Sequence, residues 1–485
     1  MAARRAGIIA FMSSRRFFGT DGVRGVAGQD PMTATFALEL GVATAELLKQ
    51  GGNPRPHVLV GMDTRRSGPM LVAALTAGLT SRAADVTLLG VMTTPGVSYL
   101  TRALGADAGI VVSASHNPFA DNGLKIFNAD GEKLHDALEH QIEDMMARLG
   151  DGHNGELEPV IGGDVGTVKS NGSVPTGNTR VKATLGGTVT AESDGADPGE
   201  AYIRHLLGNA PYLDGLKVAL DCAEGASHAI APKVFSRLGA RLEVSHASPD
   251  GHNINVRCGS THPEFLAQRV VAQGFDVGVT FDGDADRALL IDRRGRIVTG
   301  DHVLAICAIA RGETEVVATQ MSNIGMERYL AEHGVKLHRV KVGDRYVFEA
   351  LKNRGLSLGG EQSGHMLFLD KAPTGDGILT ALLTLAAVRK SGKALEQWMD
   401  QIPVYPQVLV NVAVPVDQRD GMVEHPDVTT AVRAATESLG SSGRVLLRPS
   451  GTEPLVRVMV EGPDQGQVNR LAENVAAAVR SGVRA

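Results

Sequence analysis

The sequence is poor in aromatic residues and cysteines, and it has no long apolar run. Aromatic residues make up 4% of the 485 residues, and the three cysteines are Cys222, Cys258 and Cys307. An odd number of widely separated cysteines supports neither a disulfide framework nor a zinc knuckle, so we expect a reducing compartment, the cytoplasm. Apolar stretches stay well short of the roughly 18 residues that span a bilayer, so we expect no membrane partner.

An excess of positive charge is also missing. The 48 Lys and Arg residues are outnumbered by 54 Asp and Glu residues, for a formal net charge of −6. Binding to nucleic acid needs a basic surface that neutralises a run of phosphates, so no nucleic-acid partner is expected. A small anionic ligand needs only a local cluster of cations. The hydrophobic share of 43% and charged share of 21% are typical of a folded protein.

The order of apolar and polar segments predicts four domains. A β-rich apolar run, a turn of small or polar residues and a helix-compatible stretch recur at 57–68, 217–228 and 315–326. This repetition predicts three tandem α/β domains with mixed or parallel sheets, and the strands after Tyr405 followed by one helix predict a smaller α+β domain. The predicted bounds are 1–150 for domain I, 201–300 for domain II, 301–404 for domain III and 405–485 for domain IV.

Two segments fall outside this plan. Residues 151–200 are crowded with Gly, Thr, Ser and Asp and contain no Phe, Tyr or Trp. Such a composition buries too little surface to offset its ordering entropy, so we expect a flexible insertion without chemistry. Residues 1–13 are interpreted as a flexible extension, with the chain starting at Met1 or Met12. A transit peptide is the alternative, because four arginines and no acidic residue occur in the first twenty positions.

Three aspartates form the sharpest local motif. Asp282, Asp284 and Asp286 directly follow an apolar strand at 276–280. Like charges this close repel strongly unless a cation lies among them, and an oxygen-only set favours Mg²⁺. A calcium-binding EF-hand loop would need Glu at its twelfth position, which is Arg293 here. An acidic surface turn is the remaining alternative.

A second polar turn follows the apolar strand that ends at Val112. Ser115 in this turn is expected to be exposed and able to accept or donate a group. The alternative is a serine that caps a helix or turn. Lys125, which follows shortly after, adds a cation, so the loop is suited to an anionic substrate.

Two further polar loops are suited to sugar phosphates. The segment GEQSGH at 360–365 offers side chains that can hydrogen-bond sugar hydroxyls. The segment RPSGTEP at 448–454 places an arginine beside two hydroxyls and a glycine backbone, which can surround a phosphate. A simple hairpin loop is the alternative for the second segment. His116 and His365, taken alone, are more often structural than catalytic.

Five motifs resemble the α-D-phosphohexomutase superfamily, and their order matches as well. They are FGTDGVRG at 18–25, SASHNP at 113–118, DGDADR at 282–287, GEQSGH at 360–365 and RPSGTEP at 448–454. They cover nearly the whole chain except its first residues and 151–200, where relatives have a shorter link. The resemblance implies four domains around a central cleft and an isomerase that moves a phosphoryl group within a small-molecule sugar phosphate. A monomer or homodimer is implied too.

Within the superfamily the sequence is similar to the branch that acts on amino sugars. Gln362 and the stretches 253–255, 258–261 and 341–347 carry this similarity. The branch interconverts glucosamine 6-phosphate and glucosamine 1-phosphate, on the way to UDP-N-acetylglucosamine and cell-wall precursors. The alternatives are a mutase for glucose or mannose phosphates, a phosphatase-like hydrolase and a catalytically silent protein that binds sugar phosphates.

The resemblance also implies roles for particular residues. Ser115 is the expected phosphoserine, and its phosphate would join Asp282, Asp284 and Asp286 around Mg²⁺. The phosphoryl group would pass to the sugar, and the resulting 1,6-bisphosphate would turn end for end before one phosphate returns to Ser115.

The remaining implied roles are proton handling and substrate binding. Arg24, His116 and Lys125 are expected to handle protons and support charge near Ser115. Lys125 would need a depressed pKa to act as a base, which burial and Arg24 would provide. The expected substrate-binding residues are Arg287, Glu361, Ser363, His365, Arg448, Ser450, Gly451 and Thr452.

Overall fold

The computed structural model describes residues 17–19, 21–150, 165–167, 198–450 and 454–484. The predicted extension 1–13 and most of the predicted insertion 151–200 lie outside these ranges. Inside the insertion, β6 (Val165–Thr167) pairs in parallel with a strand of the first sheet, and a helix begins at Pro198. The insertion therefore contributes one short strand to the fold, which its composition did not predict.

Domain I is a six-stranded mixed sheet with helices packed against it. The strand order is β1-β5-β4-β2-β3-β6, with β5 antiparallel to both β1 and β4 and the remaining pairs parallel. The buried central strand β4 is entirely apolar, as expected for a strand covered on both faces. The other strands are β1 (Val23–Val26), β2 (His57–Met62), β3 (Asp85–Val91), β4 (Ala108–Val112) and β5 (Asp121–Asn128), and the helices are α1 (Ala34–Gln50), α2 (Gly68–Thr80), α3 (Thr94–Ala103) and α4 (Asp136–Gly150).

Domain II repeats the strand–turn–helix plan with five strands in the order β11-β10-β9-β7-β8. Here β7 pairs in parallel with β8 and β9, whereas β10 is antiparallel to β9 and β11. Its elements are α5 (Pro198–Gly208), β7 (Lys217–Asp221), α6 (Ile230–Arg237), β8 (Arg241–Ser245), α7 (Glu264–Gln273), β9 (Val277–Phe281), β10 (Ala288–Asp292) and β11 (Ile297–Val298). Short 3₁₀ turns lie at Ala226–His228 and Gly259–Thr261.

Domain III has a four-stranded mixed sheet in the order β13-β12-β14-β15. Only the β14–β15 pair in this sheet is antiparallel. Its elements are α8 (Gly300–Arg311), β12 (Glu315–Thr319), α9 (Ile324–Glu332), β13 (Lys336–Val340), α10 (Asp344–Arg354), β14 (Leu358–Gly360), β15 (Met366–Phe368), α11 (Gly377–Ser391) and α12 (Leu395–Gln401).

Domain IV is a smaller α+β unit with a three-stranded antiparallel sheet in the order β16-β18-β17. Its elements are β16 (Gln407–Ala413), α13 (Arg419–Glu424), α14 (Pro426–Leu439), a 3₁₀ turn at Gly440–Ser442, β17 (Arg444–Pro449), β18 (Leu455–Glu461) and α15 (Gln465–Arg484). Three α/β units followed by one α+β unit confirm the predicted fold class.

The apolar core joins the first three domains and leaves domain IV separate. One continuous cluster of buried side chains includes Val97 in domain I, Phe281 in domain II and Trp398 in domain III. The core of domain IV, around Val458 and Val475, forms its own cluster. Domains I to III are therefore fixed against each other by burial of shared apolar surface.

Polar contacts join domain IV to domain III. The buried carboxylate of Glu461 accepts a hydrogen bond from the Ile324 N–H at 2.6 Å, at the start of α9, and pairs with Arg444 Nε at 2.7 Å. Arg444 also donates to the Gln320 carbonyl at 2.7 Å. A carboxylate at a helix N-terminus is stabilised by the helix dipole, so the joint is held by directional polar contacts.

In the described part of the chain, every helix is too short or too polar to cross a membrane.

Candidate active site

Ser115 lies in the turn after β4 and contacts the aspartate loop of domain II. Its backbone adopts φ +52°, and its Oγ donates to Asp282 Oδ2 at 2.5 Å. Ser115 is 1% exposed, so the expectation that it is exposed is wrong. The reason is that the Asp282 loop covers it, with Gly283 so close that a Cβ there would lie 2.6 Å from the Ser115 carbonyl. Glycine is required at this contact.

The buried side chain of Arg65 fixes the Ser115 turn through hydrogen bonds to the backbone of the turn. Arg65 is fully buried and pairs with Asp63 at 2.9 Å, while Ser113 Oγ donates to the same carboxylate at 2.6 Å. Arg65 Nη2 donates to the carbonyls of Ser115 and Asn117 at 2.9 and 2.8 Å. Charge-assisted hydrogen bonds of this kind fix both the path of the loop and the position of its serine.

Domain II holds the same turn from the other side. Asn255, which is 8% exposed and has φ +60°, donates from Nδ2 to the carbonyls of Ser115 and Asn117 at 2.9 and 3.1 Å. The turn is thus clamped between Arg65 of domain I and Asn255 of domain II.

The three aspartates of the loop after β9 come together as predicted. Asp282, Asp284 and Asp286 are buried, and one oxygen of each lies within 4.8 Å of the others. Asp284 Oδ1 and Asp286 Oδ1 have no hydrogen-bond partner among the described residues. Buried carboxylate oxygens without a hydrogen-bond partner are suited to bind a divalent cation that prefers oxygen ligands.

The pKa values in the cluster show how strongly the carboxylates interact. Burial, together with the charges of Asp286 and Asp284, raises the pKa of Asp282 well above its usual range. Burial also raises the pKa of Asp286, but the positive charges of Lys125 and His365 lower it more. The pKa of Asp286 is therefore well below its usual range. A cation among the three carboxylates would favour the ionised form of each.

Lys125 lies inside this cluster as an ammonium ion. It is 2% exposed, and its Nζ lies 2.9 Å from Asp284 Oδ2, 3.1 Å from Asp286 Oδ2 and 3.1 Å from Asp21 Oδ2. Burial by itself would lower its pKa, but the three carboxylates raise it well above the usual value. The expected depressed pKa is therefore contradicted, because the sequence did not reveal that Asp21 also faces Lys125.

A chain of charges links the predicted Arg24 to domain III. Arg24 pairs with Asp21 and donates to Asn117 Oδ1 at 3.3 Å. Burial opposes the charged form of Arg24, yet Asp21 and the aspartate cluster raise its pKa. Asp21 also binds Lys133, which in turn pairs with Asp344 of domain III. The charges of Lys125, Lys133 and Arg24 hold the pKa of Asp21 well below its usual range despite burial.

His116 and Arg287 lie next to the serine and the aspartates. His116 Nδ1 is 3.3 Å from Ser115 Oγ. Burial, Arg287 and Arg24 lower the pKa of His116 to about 4, so its ring is neutral at neutral pH. The backbone N–H of Arg287 donates to Asp282 Oδ1 at 3.1 Å. The Nε atom of the Arg287 side chain lies 3.8 Å from Asp286 Oδ1. Arg287 therefore contributes positive charge at the edge of the cluster.

The predicted sugar loop of domain III reaches the same place. His365 is buried between Asp286 and Asp344, with ring nitrogens 3.5 Å from a carboxylate oxygen of each, and these charges raise its pKa although burial opposes them. Glu361 Oε1 accepts from the Gly343 N–H at 3.1 Å, and exposed Ser363 donates to Glu361 Oε2 at 3.3 Å. Glu361 and Ser363 thus present oxygen atoms towards solvent.

These groups surround a cavity of about 540 Å³. Domains I, II and III all line it, and the predicted residues in its wall are Arg24, His116, Asp286, Arg287, Glu361 and His365. A cavity of this size is suited to a small ligand such as a sugar phosphate. The sequence-predicted loops of the first three domains therefore meet in one cleft.

The predicted phosphate loop of domain IV lies outside the lining described for that cleft. Arg448 and Arg457 face each other as cross-strand partners, and burial together with the charge of Arg457 lowers the pKa of Arg448. Two neighbouring arginines favour an anion between or beside them. Ser450 is buried and donates its N–H to the Leu455 carbonyl at 2.9 Å. Gly451 and Thr452 lie outside the described residues.

Sequence reasoning assigned no role to several residues that shape the site. They are Asp21, Asp63, Arg65, Thr94, Lys133, Asn255, Asp344 and Arg457. Of these, Thr94 Oγ1 donates to Asp284 Oδ2 at 2.6 Å. A signal existed for Arg65, because it lies in the polar turn after β2, next to β4 in the parallel part of the sheet. Turns after neighbouring parallel strands meet at one edge. Asn255 lies in the stretch 253–255 that carries the similarity to the amino-sugar branch, but its contact with Ser115 was not predictable because it depends on how domains I and II pack.

Four domain families match the chain in order. Phosphoglucomutase/phosphomannomutase alpha/beta/alpha domains I, II and III match residues 15–152, 200–295 and 299–405, and the C-terminal domain of the same family matches 409–478. Together with the serine turn and the aspartate cluster, these matches define a sugar-phosphate mutase of the phosphohexomutase superfamily.

Curated relatives narrow the assignment. The chain is 50% identical over 470 residues to the phosphoglucosamine mutase of Deinococcus deserti, covering 97% of this chain and 99% of the relative. It is 48% identical over 466 residues to the phosphoglucosamine mutase of Thermus thermophilus, covering 96% and 98%. The chain belongs to the phosphoglucosamine mutase family and is an isomerase. The alternatives acting on glucose or mannose phosphates are not favoured by these matches.

Solved structures share the fold at low identity. A phosphoglucomutase/phosphomannomutase family protein from Burkholderia thailandensis superposes with a TM-score of 0.75 at 23% identity, covering 97% of this chain and 98% of that chain. The N-acetylphosphoglucosamine mutase of Aspergillus fumigatus, solved with GlcNAc-6P and magnesium, superposes with a TM-score of 0.65 at 17% identity, covering 100% and 99%.

Replacing Asn255 tests the clamp on the Ser115 turn. Asn255→Gly removes both hydrogen bonds to the turn while relieving the backbone strain at φ +60°. We expect kcat for mutase turnover to fall about tenfold to a hundredfold, because a displaced serine no longer aligns with the substrate. Steady-state kinetics of the purified variant give kcat and KM separately.

Arg257→Gly is the matched control. Arg257 is exposed and has φ +53°, so its replacement relieves similar strain without touching the turn. Equal kcat values for Asn255→Gly and Arg257→Gly would contradict the clamp.

Proposed function

We propose that the chain interconverts glucosamine 6-phosphate and glucosamine 1-phosphate in the cytoplasm, with Ser115 carrying the transferred phosphoryl group. The observation that supports this most directly is the 2.5 Å contact between Ser115 Oγ and Asp282 within the aspartate cluster. The substrate is inferred from the phosphoglucosamine mutases to which the chain is about 50% identical. As a monomer or homodimer, the chain would present one such cleft per copy.

The residues that would hold the metal are Asp282, Asp284 and Asp286, joined by the phosphate on Ser115. The oxygen-only donors fit Mg²⁺, and Asp284 Oδ1 is buried without a hydrogen-bond partner among the described residues. The magnesium in the Aspergillus fumigatus structure supports this choice. Bound Mg²⁺ would neutralise the negative charge that develops on the phosphoryl oxygens.

Phosphoryl transfer begins with the hydroxyl of the sugar monophosphate attacking the phosphorus on Ser115. A bond from the sugar oxygen to phosphorus forms, and the bond from Ser115 Oγ to phosphorus breaks, which yields the 1,6-bisphosphate. We assign the hydroxyl proton to His116, whose neutral ring lies 3.3 Å from Ser115 Oγ and passes a proton to that oxygen as the Oγ–phosphorus bond breaks. Lys125, which is buried, and Arg24, which is partly buried, are both charged near the serine and support the negative charge that accumulates.

The second transfer reverses these bond changes with the other phosphate. The bisphosphate turns end for end, and Ser115 Oγ attacks the phosphorus at the opposite end while giving its proton to His116. The bond from that phosphorus to the sugar oxygen breaks, and His116 returns the proton to the sugar oxygen. Arg287, Glu361, Ser363 and His365 are proposed to hold the sugar and its reacting end, since three of them line the cleft and Ser363 adjoins Glu361.

Domain IV is proposed to grip the phosphate that is not reacting. Arg448, Ser450, Gly451 and Thr452 form this grip, helped by Arg457. The grip must approach the cleft when substrate binds and withdraw while the bisphosphate turns. The separate core of domain IV and its polar joint to domain III suit such a movement.

Ser115→Ala tests the phosphoserine. We expect turnover to fall below about one thousandth of the wild-type rate, because the variant lacks the oxygen that carries the phosphoryl group. A coupled assay measures turnover, and intact-mass spectrometry should show one phosphate on the wild-type protein that is absent from Ser115→Ala.

Ser98→Ala is the control for loss of a buried hydroxyl. Ser98 Oγ donates to the Gly131 carbonyl at 2.6 Å, away from the aspartates. Ser98→Ala should turn over substrate at the wild-type rate, and it should lower the melting temperature about as much as Ser115→Ala does. Substantial activity in verified Ser115→Ala protein would refute the role of Ser115.

Arg448→Ala tests the phosphate grip. We expect KM for the sugar phosphate to rise about tenfold or more, because a charge-assisted contact to the distal phosphate is lost. Arg433→Ala removes the same charge from the exposed face of α14 and should leave KM unchanged. Equal KM values for Arg448→Ala and wild type would speak against the grip.

A further inference from the structure

A second group of metal-ligand side chains lies in domain II, outside the cleft. Asp221 ends β7, His246 follows β8, and Cys258 precedes the 3₁₀ turn at Gly259–Thr261. A carboxylate oxygen, an imidazole nitrogen and the thiol sulfur of these residues all lie within 4.8 Å of one another. Asp221 and Cys258 are fully buried, and the His246 side chain is 25% exposed.

We propose that Asp221, His246 and Cys258 form a binding site for a divalent transition-metal ion of the Zn²⁺ type. One sulfur, one nitrogen and one oxygen ligand are the mixed donor set that Zn²⁺ accepts and Mg²⁺ avoids. The two sites therefore differ in chemistry: the aspartate cluster offers oxygen alone, whereas this group offers a softer set.

Two of the three side chains already contact each other. His246 Nδ1 lies 3.1 Å from Asp221 Oδ2, and a hydrogen bond with Asp221 raises the pKa of His246 although burial opposes it. A bound ion would take the place of the proton between these two side chains. Burial raises the pKa of the Cys258 thiol to about 12. Binding of the ion would form a metal–sulfur bond and release the thiol proton to solvent.

Neighbouring groups fix the ligands in place. Asp221 Oδ1 accepts from the Ala223 N–H at 2.9 Å, and Oδ2 accepts from the Gly259 N–H at 3.1 Å. The His246 ring packs on Phe265 with ring centroids 4.8 Å apart. Supporting contacts of this kind orient metal ligands before the ion arrives.

The loops that carry the ligands are strained. Ala223, Glu224, His246, Asn255 and Arg257 all have positive φ values between +49° and +60°. A non-glycine residue in this region is unfavourable, so five of them in three converging loops need strong tertiary support. An ion bound to all three loops would supply such support.

The same loops support the active-site turn. The Asn255 N–H donates to the Ala223 carbonyl at 2.9 Å, and the Asn255 side chain donates to Ser115. The Ala226 N–H donates to the Gly283 carbonyl at 2.8 Å, inside the aspartate loop. An ion at the second site would therefore stiffen the residues that position Ser115 and the aspartates. The site itself does not depend on the proposed reaction.

Spectroscopic titration of the full chain with Co²⁺, as a visible substitute for Zn²⁺, tests the site. Mg²⁺ is kept in excess so that the aspartate cluster is saturated. We expect one Co²⁺ per chain, with sulfur-to-cobalt charge-transfer absorption that Zn²⁺ abolishes. Cys258→Ser should eliminate that absorption, and His246→Asn should weaken Co²⁺ binding about tenfold to a hundredfold.

Cys222→Ser is the matched control, because Cys222 is a buried thiol next to Asp221 but outside the ligand group. This variant should retain the absorption and the Co²⁺ affinity. The proposal is wrong if wild type shows no charge-transfer absorption, if the absorption persists in Cys258→Ser, or if Cys222→Ser loses it. Should Cys258→Ser fail to fold, an unchanged Co²⁺ affinity in His246→Asn would overturn the proposal.

Discussion

The contact between the Ser115 hydroxyl and the Asp282 carboxylate, made across the boundary between domains I and II, is the interaction on which the site depends. It brings the serine into a cluster of three buried carboxylates whose mutual repulsion opposes folding. Lys125, Arg24 and Arg287 offset that repulsion, and a divalent cation would offset it further. The shared apolar core of domains I to III holds these opposing charges in place.

The domains differ in how they are joined, and we relate this difference to their roles in the reaction. Domains I to III share one buried apolar cluster, which holds the serine, the metal ligands and the sugar loop next to each other, although domain I also has a cluster of its own. Domain IV has its own core and a joint made of directional polar contacts around Glu461 and Arg444. The proposed 1,6-bisphosphate must reorient between the two phosphoryl transfers. This requires a rigid site around Ser115 and a phosphate-binding loop in domain IV that can release the non-reacting phosphate.

Local patterns in the sequence were enough to predict the fold class and the aspartate cluster, whereas the site roles of Arg24, Arg287 and Glu361 were implied by the family resemblance. Asp282, Asp284 and Asp286 are spaced by small residues in one loop, so their convergence is a local property. The burial of Ser115 was not predictable in this way, because the loop that covers it belongs to another domain. The error over Lys125 has a related cause, because its pKa depends on Asp21, which lies in the same domain but 104 positions earlier. Asn255 is absent from the predicted site because its contact with Ser115 joins two domains.

Strand β6 is a further case in which composition misled. Residues 151–200 are rich in small and polar residues, yet Val165–Thr167 pairs with β3 at the edge of the first sheet. Edge strands need few apolar contacts, because backbone hydrogen bonds to one neighbour provide much of their stability. Short strands of this type are therefore difficult to predict from hydrophobic periodicity.

The most direct test of the account is anomalous diffraction from crystals of the phosphorylated protein soaked in Mn²⁺, which replaces Mg²⁺ at oxygen sites. The account predicts one strong peak among the carboxylates of Asp282, Asp284 and Asp286, in contact with a phosphate on Ser115. A peak bound elsewhere, or a Ser115 phosphate that makes no contact with the ion, would contradict it.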